Sequence, residues 1–231
     1  MEKMPRSLDK IIENQVRKWE VVQKKKYKKP IRPVITLSRL PGCGAREMAE
    51  RIAEELKIDF WDDEIIEEIA KSSSVSRRVI ESLDEQDRSI LDDWMGYLDE
   101  SQMWSHEYFQ HLTKVVGSIG AHGHALILGR GAGYILPVEV SLRVLLVAPQ
   151  DTRIRNVMEE HSCTEKEARA SVRKTETERR GFIKKYFQAD LTDPNNYDLT
   201  INTANLGLDV AAAIVIATFN SKKWYNYSVK R

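Results

Sequence analysis

The chain has 231 residues, of which 42% are hydrophobic, and this is enough to enclose one substantial core in one domain. Lys and Arg number 36 against 35 Asp and Glu, so the formal charge of +1 provides no overall field that would gather nucleic acid or coat an anionic membrane. The two cysteines lack metal-ligand spacing, which argues against a disulfide framework and a zinc site.

The N-terminal segment predicts a helix. Behind Ser7 as the N-cap, apolar side chains recur at helical spacing over residues 7–29, at Leu8, Ile11, Ile12, Val16, Trp19 and Val22. We expect an N-terminal helical extension, residues 1–32, that lies outside the main domain. Its lysine-rich end at 24–29 is expected to face solvent, and contact with an acidic partner is the alternative.

From residue 33 onwards, short apolar runs alternate with segments of helical period. Strands are predicted in VITLS and at the start of DFWDDEIIEEIAKS, HALILGRGAG, LRVLLVAPQDTRIRNVMEEH and YDLTINTANLGLDVAAAIVIATF, each followed by turn or helix signals. Residues 76–122 are predicted to be mostly helical. Alternating strands and helices predict an α/β fold with a mostly parallel sheet covered by helices on both faces. Ligands bind such sheets beyond the carboxyl ends of the strands.

The first strand leads into a turn typical of phosphate binding. Gly42 and Gly44 allow close backbone approach to an oxyanion at the start of the next helix. In the ordinary motif G-x-x-x-x-G-K-[ST], lysine reaches the outer phosphates and the hydroxyl holds magnesium. Alignment on Gly44 puts Ala45 in the lysine place, Arg46 in the hydroxyl place and Arg39 in the place of the first glycine.

Arginine can replace the missing lysine, since a guanidinium grips phosphate oxygens with two parallel donors. We expect Arg46, or as the second choice Arg39, to take that part. The predicted phosphate-binding residues are Ser38, Arg39, Gly42, Cys43, Gly44, Ala45 and Arg46. The alternative is a strand-to-helix turn whose glycines serve only tight packing. Cys43 is interpreted as a small filler of this turn, although the adjacent helix end would lower a thiol pKa.

Four motifs make the chain similar to the cytidylate kinase-like family, a branch of the P-loop nucleoside monophosphate kinases. They are ITLSR at 35–39, GCGARE at 42–47, FWDDEII at 60–66 and LGRGAGYILP at 128–137, within a resemblance that spans residues 33–220. The absence of the lysine belongs to the pattern of this branch. The resemblance implies the three-layer P-loop kinase fold, with residues 221–231 as a C-terminal tail.

The resemblance also implies ATP as phosphoryl donor, Mg²⁺ as counter-ion and a nucleoside monophosphate, CMP or dCMP, as acceptor. Ser38 and Asp62 are the predicted metal ligands, with Asp63 as the alternative to Asp62. Asp62, Asp63 and Arg130 are the predicted acceptor-binding residues. A helical lid is expected over residues 150–190, in which ETER at 176–179 makes Arg179 the first choice and Arg173 the second for the transferred phosphoryl group. Together with Arg46 and Arg130, these two arginines form the predicted catalytic set.

Three other interpretations stay open. The chain is a nucleotide-binding sensor that transfers nothing, or a P-loop kinase for another small molecule, since the fold does not fix the acceptor. The N-terminal helix and the aromatic segment around Trp94, Tyr97, Trp104 and Tyr108 are candidates for a homo-oligomer interface, with core packing as the alternative.

We expect a cytoplasmic protein without nucleic-acid or membrane partners. The N-terminus lacks the hydrophobic region of a signal peptide, and the apolar runs are too short or too polar to cross a bilayer.

Overall fold

The structure, a computed structural model, describes residues 7–23, 33–99 and 107–224. The strands are β1 (Val34–Arg39), β2 (Asp59–Trp61), β3 (Ala125–Leu128), β4 (Ser141–Val147) and β5 (Leu199–Asn202). The helices are α1 (Leu8–Gln23), α2 (Ala45–Leu56), α3 (Asp63–Lys71), α4 (Ser73–Glu81), α5 (Glu85–Asp99), α6 (Glu107–His122), α7 (Ala132–Ile135), α8 (Gln150–His161), α9 (Glu165–Phe187) and α10 (Thr203–Ser221). Three predicted features lie outside the described residues, namely the lysine-rich end at 24–29, Trp104 and the tail from 225.

The five strands form one parallel sheet in the order β2-β3-β1-β4-β5. β1 lies at the centre, and all six of its residues are buried. Parallel strands buried on both faces read as continuous apolar runs, which is why the sequence signals of β1, β3 and β4 were strong. The carboxyl ends of β1 and β3 lie side by side, since Leu37 pairs with Leu128.

Helices cover both faces of the sheet, which confirms the predicted three-layer fold. Alternate residues of β1 and β3 point to opposite faces, so Ile127 packs in one core with α3, α4 and α6, and Leu126 packs in the other with α2 and α10. Helices α8 and α9 pack on each other around a small separate cluster of Ile154, Val157, Ala168 and Val172. These two helices form a hairpin that corresponds to the segment predicted as a lid, residues 150–190.

Helix α1 packs against the main core, although the sequence placed it in an extension outside the domain. Ile12 is fully buried, and Trp19 stacks on His122 with ring centroids 3.7 Å apart and on Trp61 at 5.9 Å. Lys18 reaches Asp59 at the start of β2. An amphipathic helix gains stability by burying its apolar face, and the edge of the sheet beside β2 offers that surface.

Trp94, which the sequence offers as part of a candidate interface, is only 4% exposed and packs in the core beside α6.

α10 is the one helix in the described part of the chain that is long and apolar enough to cross a membrane by composition alone. One third of that stretch is buried, and Ala211 and Val215 pack with α2 and β4, so α10 serves as a layer of the fold.

Replacing Trp19 by alanine is expected to lower the free energy of unfolding by about 3–5 kcal/mol, because a large buried aromatic ring is removed from the core. Chemical denaturation measures the change. Val21→Ala, at a side chain 61% exposed on the same helix, is the matched control and is expected to change stability by less than about 0.5 kcal/mol. Equal effects of the two substitutions would contradict a docked α1.

Candidate active site

A cavity of about 330 Å³ opens at the carboxyl ends of β1 and β3, under helix α9. The loop after β3 and the end of β1 form its floor, and the second half of α9 forms its roof. Its lining residues are Ser38, Arg39, Asp63, Gly129, Arg130, Gly131, Thr175, Glu178, Arg179, Phe182, Ile183 and Leu191. The cavity thus lies at the edge of the sheet where the sequence predicted the ligand-binding loops.

Arg39, the last residue of β1, brings a buried guanidinium to this cavity. Its side chain is 10% exposed, and Nη2 lies 2.6 Å from Oδ2 of Asp63. The guanidinium passes directly over Gly129, where a Cβ atom would collide with it. The positive φ of 85° favours glycine at position 129, and a Cβ there would displace the Arg39 guanidinium.

Arg130 is held by the backbone of its own loop and by α3. Three successive residues, 129 to 131, have positive φ, and this turns the arginine side chain back towards α3. Its Nε donates to the backbone oxygen of Asp63 at 3.0 Å, and its Nη2 pairs with Glu67. Burial lowers the pKa of this guanidinium, and Asp63 opposes the shift.

Arg179 projects from α9 into the same cavity and makes no ion pair within residues 7–23, 33–99 and 107–224. Its Nη1 donates to the backbone oxygen of Arg39 at 3.4 Å. Burial, followed by the like charge of Arg39, lowers the pKa of Arg179 to about 10. Asp63 opposes the shift without contacting Arg179 directly. A partly buried cation without a close counter-ion is costly, so an anion in the cavity would relieve that cost.

The glycine turn after β1 has the backbone expected of a phosphate-binding loop. Gly42 and Gly44 have φ of 79° and 69°, and α2 begins at Ala45 without a side-chain cap. The first N–H groups of a helix lack intrahelical partners and favour an anion. The turn therefore provides main-chain donors beside the cavity, although none of residues 42–46 lines it.

Side chains from α8 and α10 hold the carbonyl groups of the turn. Nη1 of Arg153 donates to Pro41 at 3.4 Å, Nδ2 of Asn156 to Gly42 at 2.8 Å and Oγ1 of Thr203 to Cys43 at 3.2 Å. These bonds fix the orientation of the peptide groups in the turn. The sequence pattern does not predict this role, because its one signal is that Arg153 and Asn156 follow β4 and Thr203 follows β5.

Arg46, the predicted replacement for the lysine, lies outside the cavity. Its side chain is 52% exposed and is surrounded by three carboxylates, with contacts of 2.5 Å to Asp62, 3.6 Å to Glu50 and 3.7 Å to Glu64. Arg173, the second lid candidate, is exposed and also does not line the cavity. Of the residues predicted for the site, the structure brings together Ser38, Arg39, Asp63, Arg130 and Arg179.

Cys43 is 2% exposed and packs in the core beneath the turn. Burial raises the pKa of its thiol to about 11, an effect larger than the opposing charge of Arg153. The lowering expected from the helix end is therefore outweighed. This environment agrees with the interpretation of Cys43 as a filler of the turn.

The predicted magnesium ligands do not form a fitting set in this structure. Asp62 is the N-cap of α3, where Oδ1 accepts from the Ile65 N–H at 2.8 Å and Oδ2 contacts the Arg46 guanidinium. Both oxygens are engaged, and a divalent cation at Oδ2 would meet the positive charge of Arg46. Ser38 lines the cavity, whereas Asp62 does not. Asp63, the alternative ligand, lines the cavity beside Ser38, but its Oδ2 already contacts the Arg39 guanidinium.

A model of the cytidylate kinase-like family matches residues 34–205. The chain belongs to this family. A cytidylate kinase of Halobacterium salinarum is 24% identical over 184 residues, covering 79% of this chain and 87% of its own. A cytidylate kinase of Methanothrix thermoacetophila is 24% identical over 191 residues, covering 82% and 99%. An uncharacterized protein from Eubacterium ventriosum shares the fold, with a TM-score of 0.58 at 20% identity over 82% of this chain and 99% of that one.

Membership in the cytidylate kinase-like family confirms the resemblance drawn from the four motifs and the prediction of a kinase-like phosphotransferase. The matched range includes the glycine turn, the 129–131 loop and the whole lid hairpin. Helix α1 and most of α10 lie outside it. The site described above therefore lies within the family's own segment.

Replacing Arg179 by glutamine is expected to stabilise the ligand-free protein by about 1 kcal/mol, which raises Tm by about 2–4 °C. The reason is that folding lowers the pKa of this guanidinium to about 10, below its ordinary value, so that the charged side chain opposes folding. The penalty is complete below pH 10 and fades as the pH rises above 10. The same substitution is expected to weaken anion binding.

Differential scanning calorimetry at pH 7 measures the Tm change. Arg169→Gln, at an exposed position of the same helix that pairs with Glu165, is the control and is expected to leave Tm unchanged or slightly lower. A loss of stability in Arg179→Gln would show that this guanidinium has a compensating partner.

Proposed function

We propose that this protein transfers the γ-phosphoryl group of ATP to a nucleoside monophosphate, with CMP, dCMP or a related nucleotide as acceptor. The observation that carries the proposal is the cavity in which Arg39, Arg130 and Arg179 converge, the last of these without an ion pair to any residue that the structure describes. Phosphoryl transfer spreads negative charge over the oxygens of the transferred group, so catalysis rests on positioning and cationic stabilisation. A cavity with more guanidinium than carboxylate charge provides that stabilisation.

The residues take separate parts in this proposal. The turn from Gly42 to Arg46, with Ser38 beside it, binds the donor phosphates through main-chain donors, and Arg46 or Arg39 replaces the lysine. Arg130 holds the acceptor phosphate. Arg179 closes over the transferred group when the α8–α9 hairpin moves, with Arg173 as the second candidate. An acceptor phosphate oxygen is ionised at neutral pH, so no dedicated general base is needed.

The acceptor side is formed by the start of α3. Asp63 lies in the cavity wall beside Arg130 and is proposed to contact the acceptor sugar. Its pKa is lowered, and Arg39 is the largest favourable cause, so this carboxylate accepts rather than donates hydrogen bonds at neutral pH. The choice of CMP and dCMP rests on the cytidylate kinases that the chain resembles. The proposed location is the cytoplasm.

A nucleotide-binding sensor is the second candidate. The observation that favours it is the ion pair between Arg46 and Asp62, which holds the proposed replacement for the lysine away from the cavity. A sensor of this kind would bind ATP and transfer nothing. A P-loop kinase for another small molecule is the third, since the cavity wall does not by itself select a pyrimidine.

A coupled assay of ATP consumption separates these candidates. ATP and magnesium are supplied with CMP, dCMP, UMP, AMP or a shikimate-like alcohol, one at a time. Turnover that depends on a pyrimidine monophosphate supports the proposal, and turnover only with an alcohol supports the other kinase. ATP binding without turnover on any acceptor supports the sensor, and the absence of ATP binding would overturn all three.

Arg130→Gln is expected to raise the KM of the acceptor by roughly 10- to 100-fold and to leave the KM of ATP within about threefold. The reason is that a charge-assisted hydrogen bond to a phosphate contributes about 1.5–3 kcal/mol. Steady-state kinetics with each substrate varied in turn measure the two effects. Arg169→Gln on the exposed face of α9 is the control, and an equal rise in both KM values would contradict an acceptor role.

A further inference from the structure

We propose that the guanidinium of Arg46 takes the electrostatic place of a protein-held magnesium ion at the donor phosphates. The inference rests on the proposed function, since it concerns the ATP-binding turn at 42–46. It differs from the idea that Arg46 merely replaces the lysine, because it concerns the metal requirement of the site. If Arg46 replaces the metal in this way, the affinity for ATP depends little on a divalent cation held by the protein.

Arg46 occupies the place in the turn where an ordinary phosphate loop has a magnesium ligand. In an ordinary phosphate loop the residue two places after the second glycine is Ser or Thr, and its hydroxyl is a magnesium ligand. Here that place is the second residue of α2 and bears a permanent positive charge. The ligand has thus been replaced by a cation. A side chain with no acceptor atom has no means of coordinating a metal.

The ion-pair partner of Arg46 is Asp62, the second predicted magnesium ligand. Carboxylates are the usual protein ligands of magnesium, and Asp62 directly follows β2, which β3 separates from β1 in the sheet. Its side chain is 5% exposed, and its Oδ2 lies 2.5 Å from Nη2 of Arg46. The carboxylate that would hold a metal therefore already holds a cation.

Two further carboxylates lie close to the Arg46 guanidinium. Glu50 and Glu64 lie within 4 Å of the same guanidinium, so three carboxylates converge on the charge of Arg46. Such a concentration of negative charge is typical of a cation site, and here the side chain of Arg46 is that cation. A buried Asp62 does need some counter-charge. Charge compensation alone, without a role at the nucleotide, is therefore the competing explanation that the experiment has to separate.

The two cations differ in what they offer the nucleotide. The guanidinium provides one charge and up to five N–H donors in a fixed plane, whereas a divalent ion provides two charges. The rest of the phosphate charge then falls to Arg39 and Arg179, which already lie at the cavity. This division accounts for the presence of several arginines around a turn that lacks both residues of the ordinary Lys-Ser/Thr pair.

The test is the dependence of ATP affinity on magnesium, measured by isothermal titration calorimetry with the full chain and a non-hydrolysable ATP analogue. The quantity of interest is the ratio of Kd in EDTA to Kd in excess magnesium. For the unmodified protein we expect a ratio within about threefold of 1. For Arg46→Ser, which restores a hydroxyl beside Asp62, we expect a ratio of about tenfold or more.

Two further variants isolate the cause. Arg51→Ser removes the same charge from the same helix at a position that pairs with Glu47 and Asp209, and it is expected to leave the ratio unchanged. Arg46→Ser combined with Asp62→Asn removes the carboxylate ligand while retaining the N-cap of α3, because asparagine caps as well as aspartate. In this double variant the gain in magnesium dependence is expected to disappear.

The outcomes are distinct. A ratio of tenfold or more in the unmodified protein, or an unchanged ratio in Arg46→Ser, overturns the inference and leaves the proposed kinase function intact. Failure of the unmodified protein to bind the analogue in either buffer overturns the proposed function, and the inference with it. A low ratio that rises only in Arg46→Ser supports the inference when the Kd in EDTA has risen, since a guanidinium at the phosphates has then been lost. A ratio that rises with an unchanged Kd in EDTA is the result expected of charge compensation alone and overturns the inference. Circular dichroism and Tm of each variant confirm that the fold is retained.

Discussion

The burial of arginine side chains is the constraint on which the candidate site depends. A guanidinium that loses water must regain hydrogen bonds and a negative charge. The N-cap and the first half of α3 provide carboxylates to arginines from β1, from α2 and from the loop after β3, in the pairs Asp63–Arg39, Asp62–Arg46 and Glu67–Arg130. Arg179 has no such partner among the described residues, and its lowered pKa records the cost. The carboxylates at the start of α3 thus neutralise most of the arginine charge around the site. The charge of Arg179 is left for an anionic ligand to neutralise.

The same electrostatic network joins the lid to the phosphate turn. Glu176 of α9 contacts Arg153 at 3.0 Å and Arg180 at 3.0 Å. Arg153 in turn donates to the carbonyl of Pro41, and its own backbone lies against Gly42. Arg153 therefore contacts both helix α9 and the turn. The closure proposed for the hairpin would displace Glu176 and so act through Arg153 on the donor loop.

Helix α1 shows how a segment outside the family's matched range becomes part of the fold. Trp19 stacks on Trp61, the last residue of β2, and Trp61 directly precedes Asp62 and Asp63. The extension thus supports the strand that leads into α3 and its carboxylates. Family membership explains the sheet and the site, whereas α1 adds apolar contacts that belong to this chain's own sequence.

The sequence by itself determined the α/β fold, the five strands and the loops that carry the site, because buried parallel strands and glycine turns leave strong local patterns. It also identified Arg39, Arg130 and Arg179 as residues of one site. Only the tertiary structure decided which arginines face the cavity and which are paired elsewhere, as Arg46 is with Asp62. It likewise decided that α1 docks on the core and that Asn156 and Thr203 hold the turn. These contacts join residues far apart in the chain, and the direction of a long charged side chain depends on partners that local periodicity does not encode.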